Sequence, residues 1–190
     1  MPRVRLPITT ERLVLRSFRP GDEDDVFAYR SVPDVVRYIP GDPKTREQVS
    51  DLVAERATAG RIEPSSPIMT LAVEVDGHVV GDVLLHLDGL DGHDGRQAEI
   101  GWVFAPEVQG RGYATEAARA LTRVAFEELG VHRVWAQLEP ANTGSSRICE
   151  RIGMRREALF EQASWFKERW TDLAVHAIRE DEWRAQPSPS

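Results

Sequence analysis

The sequence predicts one α/β (α+β) domain, with helices flanking a mixed, mostly antiparallel sheet. Three observations predict it. Short runs of alternating apolar residues recur along the chain, the signal of half-buried strands. One long segment repeats its apolar residues at helical spacing instead. The two kinds interleave as strand, two helices, three strands, helix, strand, helix, strand, with a parallel pair around the long helix. A chain of 190 residues, 41% hydrophobic, is long enough to bury one sizeable core.

The elements follow in order. Residues 12–18 alternate well enough to form a first strand. Asp22 then reads as a helix cap, with Val26 and Tyr29 on one face. Asp42-Pro43 reads as a second cap with proline at the first helical position, and Val49, Leu52 and Val53 give that helix its buried stripe. Met69, Leu71, Val73 and Val75 alternate into Asp76-Gly77, a hairpin turn, and residues 79–87 form the return strand. Residues 88–96 read as a glycine- and aspartate-rich loop, and residues 98–104 as a fourth strand. Over residues 113–129, Ala114, Ala117, Ala118, Leu121, Val124, Ala125 and Leu129 make a helical stripe that Gly130 ends. Residues 131–138 form a fifth strand, residues 145–152 a short helix ended by Gly153, and residues 170–178 a late strand. The domain spans residues 8–183, and residues 184–190 form a tail with nothing apolar to dock it.

Composition narrows the function. No apolar run approaches the roughly 18–20 residues that a bilayer requires, and the N-terminus lacks a secretory signal, so a cytoplasmic protein is expected. A net charge of −7 argues against a nucleic-acid footprint and suits a cationic partner such as an amine. The single Cys149 excludes an internal disulfide framework. His86, Asp88 and His93 match no metal-ligand spacing, so no metal is expected.

Chemistry concentrates in residues 99–116, which run from a strand through Ala105-Pro106 into a glycine-rich helix start. The first N–H groups of a helix have no internal partner, and the helix dipole adds positive character there. Gly110 and Gly112 remove side chains that would block an anion, and Arg111 adds charge. Phosphate binding competes with a plain tight turn. The dinucleotide and P-loop fingerprints are both incomplete, with Thr at 115 and no Gly-Lys-Ser/Thr.

The run Gln109-Gly-Arg-Gly-Tyr-Ala114, preceded by Ile100-Gly-Trp and followed by Thr115-Glu-Ala117, resembles the acetyl-coenzyme A signature of the GNAT N-acetyltransferase superfamily. It is most similar to the branch that contains the ribosomal-protein N-terminal acetyltransferases. A second block, Asn142-x-x-Ser145-x-x-Ile148-x-Glu150-Arg-x-Gly153-Met154, and the opening Thr10-Glu-Arg-Leu-Val-Leu-Arg16 agree with it. The resemblance implies an N-acetyltransferase that passes acetyl from acetyl-CoA to a primary amine, a protein N-terminus or a small molecule, by direct attack in a ternary complex. It implies a sheet splayed between the fourth and fifth strands. The pantetheine arm would pair with the backbone of Trp102, Val103 and Phe104. The pyrophosphate would rest on Gln109, Gly110, Arg111, Gly112, Tyr113, Ala114 and Thr115, with Asn142 and Ser145 beside the arm. Relatives in the branch often form homodimers.

Acyl transfer to an amine needs a base, an oxyanion donor and a proton for the leaving thiolate. Glu99 is the candidate base through a water, with Glu139 the weaker alternative, and the oxyanion donor is a backbone N–H near Val103. The superfamily's usual acid is a tyrosine at the position of Cys149, so Ser145 takes that role here, with Cys149 or water as alternatives. Arg37, Tyr38 and Trp165 are candidate walls of the acceptor cleft, and Arg147, Arg151, Arg155 and Arg156 read as a solvated helix face. A coenzyme-binding sensor with weak catalysis is the competing function.

Overall fold

In a computed structural model, described over residues 4–58, 62, 67–88 and 96–186, eight strands form one sheet in the order β1-β2-β3-β4-β5-β6-β8-β7. The strands are β1 (Ile8–Thr9), β2 (Val14–Arg16), β3 (Ile68–Val75), β4 (His78–Asp88), β5 (Gln97–Phe104), β6 (Arg133–Leu138), β7 (Arg155–Phe166) and β8 (Arg169–Arg179). The helices are α1 (Glu23–Arg30), α2 (Pro33–Val36), α3 (Arg46–Thr58), α4 (Tyr113–Glu127), α5 (Thr143–Arg151) and α6 (Glu180–Arg184). Every strand pair is antiparallel except β5 with β6, which α4 connects.

Strand alternation puts a core on each face of this sheet. Met69, Leu71, Val83, Leu85, Ala98 and Ile100 pack on one face under Ala117, Leu121 and Val124 of α4. On the other, Ala72 and Val103 pack under Val26 and Tyr29 of α1 and Val49 and Val53 of α3. The β3–β4 hairpin turns at Asp76 and Gly77, with φ of 51° and 85°, the positive values that the Asp-Gly pair favours.

Several boundaries differ from the sequence reading. Asp22 sits at the start of α1 but makes no cap bond, because its carboxylate accepts from the Arg16 guanidinium and the Arg19 N–H. The helix expected at Asp42-Pro43 begins only at Arg46. Thr45 and Gln48 exchange backbone-to-side-chain bonds of 3.0 and 3.3 Å, a capping box that fixes the start. Strand β7 was not anticipated. It lies at the sheet edge and is exposed at most positions, so it carries no alternation to read. Arg155 and Arg156 therefore lie on this strand rather than on a helix face. At the other end, Arg184 belongs to α6 and Gln186 donates to Ile152 O, whereas residues 187–190 fall outside the described residues.

One buried ion cluster holds α1 and α3 on the sheet. Asp82 of β4 accepts two bonds of 2.6 Å from the Arg30 Nη2, a third of 3.2 Å from the Arg30 Nε, and one of 2.8 Å from the Tyr29 hydroxyl. Arg56 Nη1 lies 3.2 Å from Asp82 Oδ1, buried and without hydrogen-bond geometry. Burial alone would raise the Asp82 carboxyl, but the charges of Arg30 and Arg56 outweigh it and hold the carboxyl below its ordinary range. We expect Asp82→Ala to cost about 3–5 kcal/mol in denaturant unfolding at neutral pH, because two guanidiniums lose their counter-charge. A depressed carboxyl stabilises above its unfolded pKa and stops doing so as pH falls through the folded one. The gap between the variant and the natural protein should therefore narrow on acidification.

Candidate active site

The site begins where a strand pairing stops. β5 and β6 share three parallel pairs, Gln97 with Arg133, Ala98 with Val134 and Glu99 with Trp135. Beyond them β5 continues against β4, and β6 continues against β8. The two strands splay, as expected between the fourth and fifth predicted strands. The Ala105 N–H bonds to Val80 O on the β4 side, and Arg96 O accepts from His132 on the β6 side. Backbone groups alternate sides along a strand, so those of Val103 face β4 while those of Trp102 and Phe104 face the gap. Around Val103, where a backbone donor is expected, the N–H groups that face the gap are therefore those of Trp102 and Phe104.

Past β5 the chain makes a short 3₁₀ turn, Pro106–Val108, and enters α4 through Gly110 and Gly112, with φ of 78° and 81°. Only glycine holds that left-handed backbone without strain. Gly112 is the N-cap and offers no side chain to the first N–H groups of α4, so these donors point outward. A Cβ on Gly110 would meet nothing within 4 Å, which marks open space beside the turn.

Arg12 braces this turn, and its role was missed in the sequence. Its Nη1 donates to Arg111 O at 2.9 Å, and its Nε donates to Glu116 at 2.7 Å. Glu116 also accepts from the Thr10 hydroxyl at 2.6 Å and from the Arg12 N–H at 3.0 Å. Burial alone would raise the Glu116 carboxyl, and these hydrogen bonds more than reverse that. The signal lay in the opening Thr10-Glu-Arg12, but nothing local says that an arginine there reaches a turn about a hundred residues on.

A cleft of about 510 Å³ joins the gap to the glycine turn. It gathers Trp102, Val103, Phe104, Gln109, Gly110, Gly112, Tyr113, Ala114, Thr115, Asn142 and Ser145. Arg111 is outside this lining, and its carbonyl accepts the bond from Arg12 in the turn. Arg147 and Arg151 also line the cleft.

Ser145 is held from two sides. Asn142, the N-cap of α5, accepts from the Ser145 N–H at 3.1 Å, and the Trp102 indole N–H donates to the Ser145 Oγ at 3.2 Å. That second bond crosses from β5 to α5. It occupies a lone pair of the hydroxyl and leaves its proton to be donated elsewhere. Cys149, one turn further on, is fully buried, and burial pushes its thiol up to about 12. It is a core residue.

Glu99 stands in the last registered pair, with His86 Nδ1 3.9 Å from its Oε2. Glu139 is engaged by Arg169, whose Nη2 donates to both carboxylate oxygens at 2.8 and 2.9 Å. Tyr38 lines the cleft and donates to Ala141 O at 3.5 Å, while Arg37 is exposed over the Tyr38 ring and outside the lining. Trp165 is on β7 rather than in a loop, 62% exposed and edge-to-face with Trp170, and is not among the residues that line the cleft. His93 and the Asp88 side chain fall outside the described residues.

The acetyltransferase (GNAT) domain family matches residues 12–155. The chain belongs to the GNAT acetyltransferase family. It is 34% identical to the uncharacterized N-acetyltransferase YnaD of Bacillus subtilis, over 93% of this chain and 98% of that one. Among solved structures, a GNAT-family acetyltransferase from Bacillus anthracis is 33% identical with a TM-score of 0.80, covering 93% of this chain and 99% of that one. A spermidine N-acetyltransferase from Vibrio cholerae, in complex with CoA and spermine, shares the fold with a TM-score of 0.74 at 19% identity, covering 92% and 99%.

This acetyltransferase carries a site that fits an acyl-CoA. The outward donors at the start of α4 suit a pyrophosphate, and the gap-facing backbone of β5 suits the amides of a pantetheine arm. We expect Gly112→Val to lose CoA binding by at least about tenfold in calorimetric titration. Its φ of 81° strains any branched residue, and an added Cβ would also stand 3.4 Å from Arg12 Nη2. The cost to folding should stay near 1–3 kcal/mol, so melting curves will show a folded protein.

Proposed function

We propose that this acetyltransferase moves the acetyl group of acetyl-CoA directly to a primary amine, a protein N-terminus or a small molecule, within a ternary complex. One observation carries the reading. The Trp102–Ser145 bond places a hydroxyl with a free proton at the gap where the β5–β6 pairing has ended. Glu99 stands at the apex of that gap.

The chemistry follows from these positions. An α-amine has a pKa of about 7.7–8.0, so most of it is protonated at neutral pH and must lose a proton before attack. Glu99 takes that proton through a water. The amine nitrogen bonds to the thioester carbonyl carbon, and the oxyanion accepts from the backbone N–H of Trp102 or Phe104. The carbon–sulfur bond breaks, the acylated nitrogen releases its surplus proton to solvent, and Ser145 protonates the departing thiolate and regains its own proton from solvent. No covalent enzyme intermediate is required, and the burial of Cys149 supports direct transfer. A homodimer belongs to the same reading, supported by the exposed edge strand β7 with Leu159 and Phe160.

At saturating acetyl-CoA we expect Ser145→Ala to lower kcat by about 10²–10⁴, the usual worth of a general acid. Cys149→Ala should change kcat little and lower stability by about 1 kcal/mol. Equal kcat for Ser145→Ala and the natural protein would remove Ser145 from the mechanism. Glu99→Gln should slow turnover most at neutral and lower pH, where the amine is mainly protonated, and recover partly at high pH. A pH–rate profile of unchanged shape would remove Glu99 as base.

A further inference from the structure

The sheet register identifies what faces an acceptor. Residues directly paired across strands point to the same face. Pairing runs from Ile68 through His86 and Glu99 to Trp135, so these four form one row. The next row carries Leu84, Gly101, Gln137 and Val175. Both rows lie on the face opposite α4, because Ala98 and Ile100 take the α4 side. The contacts of α1 and α3 fall one row further on, at Ala72, Asp82 and Val103.

This stretch of sheet is accessible. Ile68 is 41% exposed, Gln137 is exposed, and Leu84, Trp135 and Val175 are half-buried. It is also continuous with the splay, since Gly101 and Gln137 are the first residues on this face past the last β5–β6 pair, Glu99 with Trp135. Gly101 has no side chain, and a Cβ there would meet only Leu84 Cβ at 4.0 Å. The passage from this face to the gap is therefore open at Gly101.

The chemistry of the two rows is uneven. Glu99 is their one carboxylate among the described residues, and Trp135 stands beside it as its pairing partner. Leu84, Val175 and Ile68 supply aliphatic surface around them. Resting on the acetyl-transfer reading above, we propose that the acceptor is a monoamine carrying a flat aromatic group, an arylalkylamine. The amine enters past Gly101 toward the thioester carbon. The ring lies against Trp135, which offers stacking to the ring and a cation–π contact to the ammonium before it is deprotonated. A polyamine would need a second carboxylate along its length, and these rows have none among the described residues.

The test measures thiol release from acetyl-CoA with 2-phenylethylamine, tryptamine or spermidine as acceptor. The aryl amines should have kcat/KM about 10–100-fold above spermidine. Trp135→Ala should raise the KM for 2-phenylethylamine about tenfold, with little change in kcat or in the KM for acetyl-CoA. Trp135→Phe should restore most of the loss. Trp135→Leu, which keeps bulk without a large ring, should not, and it serves if the alanine variant folds poorly. Higher kcat/KM for spermidine, or an unmoved 2-phenylethylamine KM in both Trp135→Ala and Trp135→Leu, overturns the acceptor class and leaves acetyl transfer standing. Absence of thiol release with every amine, while CoA still binds, overturns the acetyl-transfer reading itself and this proposal with it.

Discussion

The parallel contact between β5 and β6 lasts for three residue pairs and then ends, and the rest of the site depends on that ending. Had the pairing continued, the backbone of Trp102 and Phe104 would have been satisfied within the sheet. The splay leaves those groups facing a gap, and buried backbone groups need partners. The same divergence separates the ends of β5 and β6, from which the chain proceeds to α4 on one side and α5 on the other. A cleft between two helix N-termini and an unfinished strand edge is a consequence of topology more than of any one side chain.

Side chains then set what topology leaves open. Asn142 closes the start of α5, and the Trp102 indole reaches across to Ser145, so the hydroxyl is fixed on the far wall of the gap. Arg12 and Glu116 do the equivalent for the glycine turn, tying the β1–β2 end of the sheet to the start of α4. Farther out, the Asp82 cluster keeps α1 and α3 seated on the opposite face. Because α2 follows α1 directly, that seating also governs where Tyr38 meets the cleft. Stability and site geometry are coupled through these three polar clusters.

The sequence was legible where local chemistry is strong. The Asp76-Gly77 turn, the α4 stripe and the Gln109-to-Ala114 turn each carry their own signal, and each matches the structure. What stayed hidden depends on distant partners. β7 is an edge strand without a buried face, so its pattern is featureless. The sequence reading starts α3 at Asp42-Pro43, whereas in the structure Thr45 and Gln48 cap it. The bond between Trp102 and Ser145 spans 43 positions, and no local pattern announces it. Which side of β5 a backbone group faces also required the neighbours, and that decided between Val103 and its flanking residues.

The central claim is that the unfinished edge of β5 and the start of α4 together receive the acyl-CoA. Amide hydrogen exchange with and without CoA tests it most directly. The account predicts that saturating CoA slows exchange in peptides covering residues 100–104 and 109–116, while β1 and β2 stay unchanged. Slowing confined to other segments, with residues 100–104 and 109–116 exchanging as in the free protein, would contradict it.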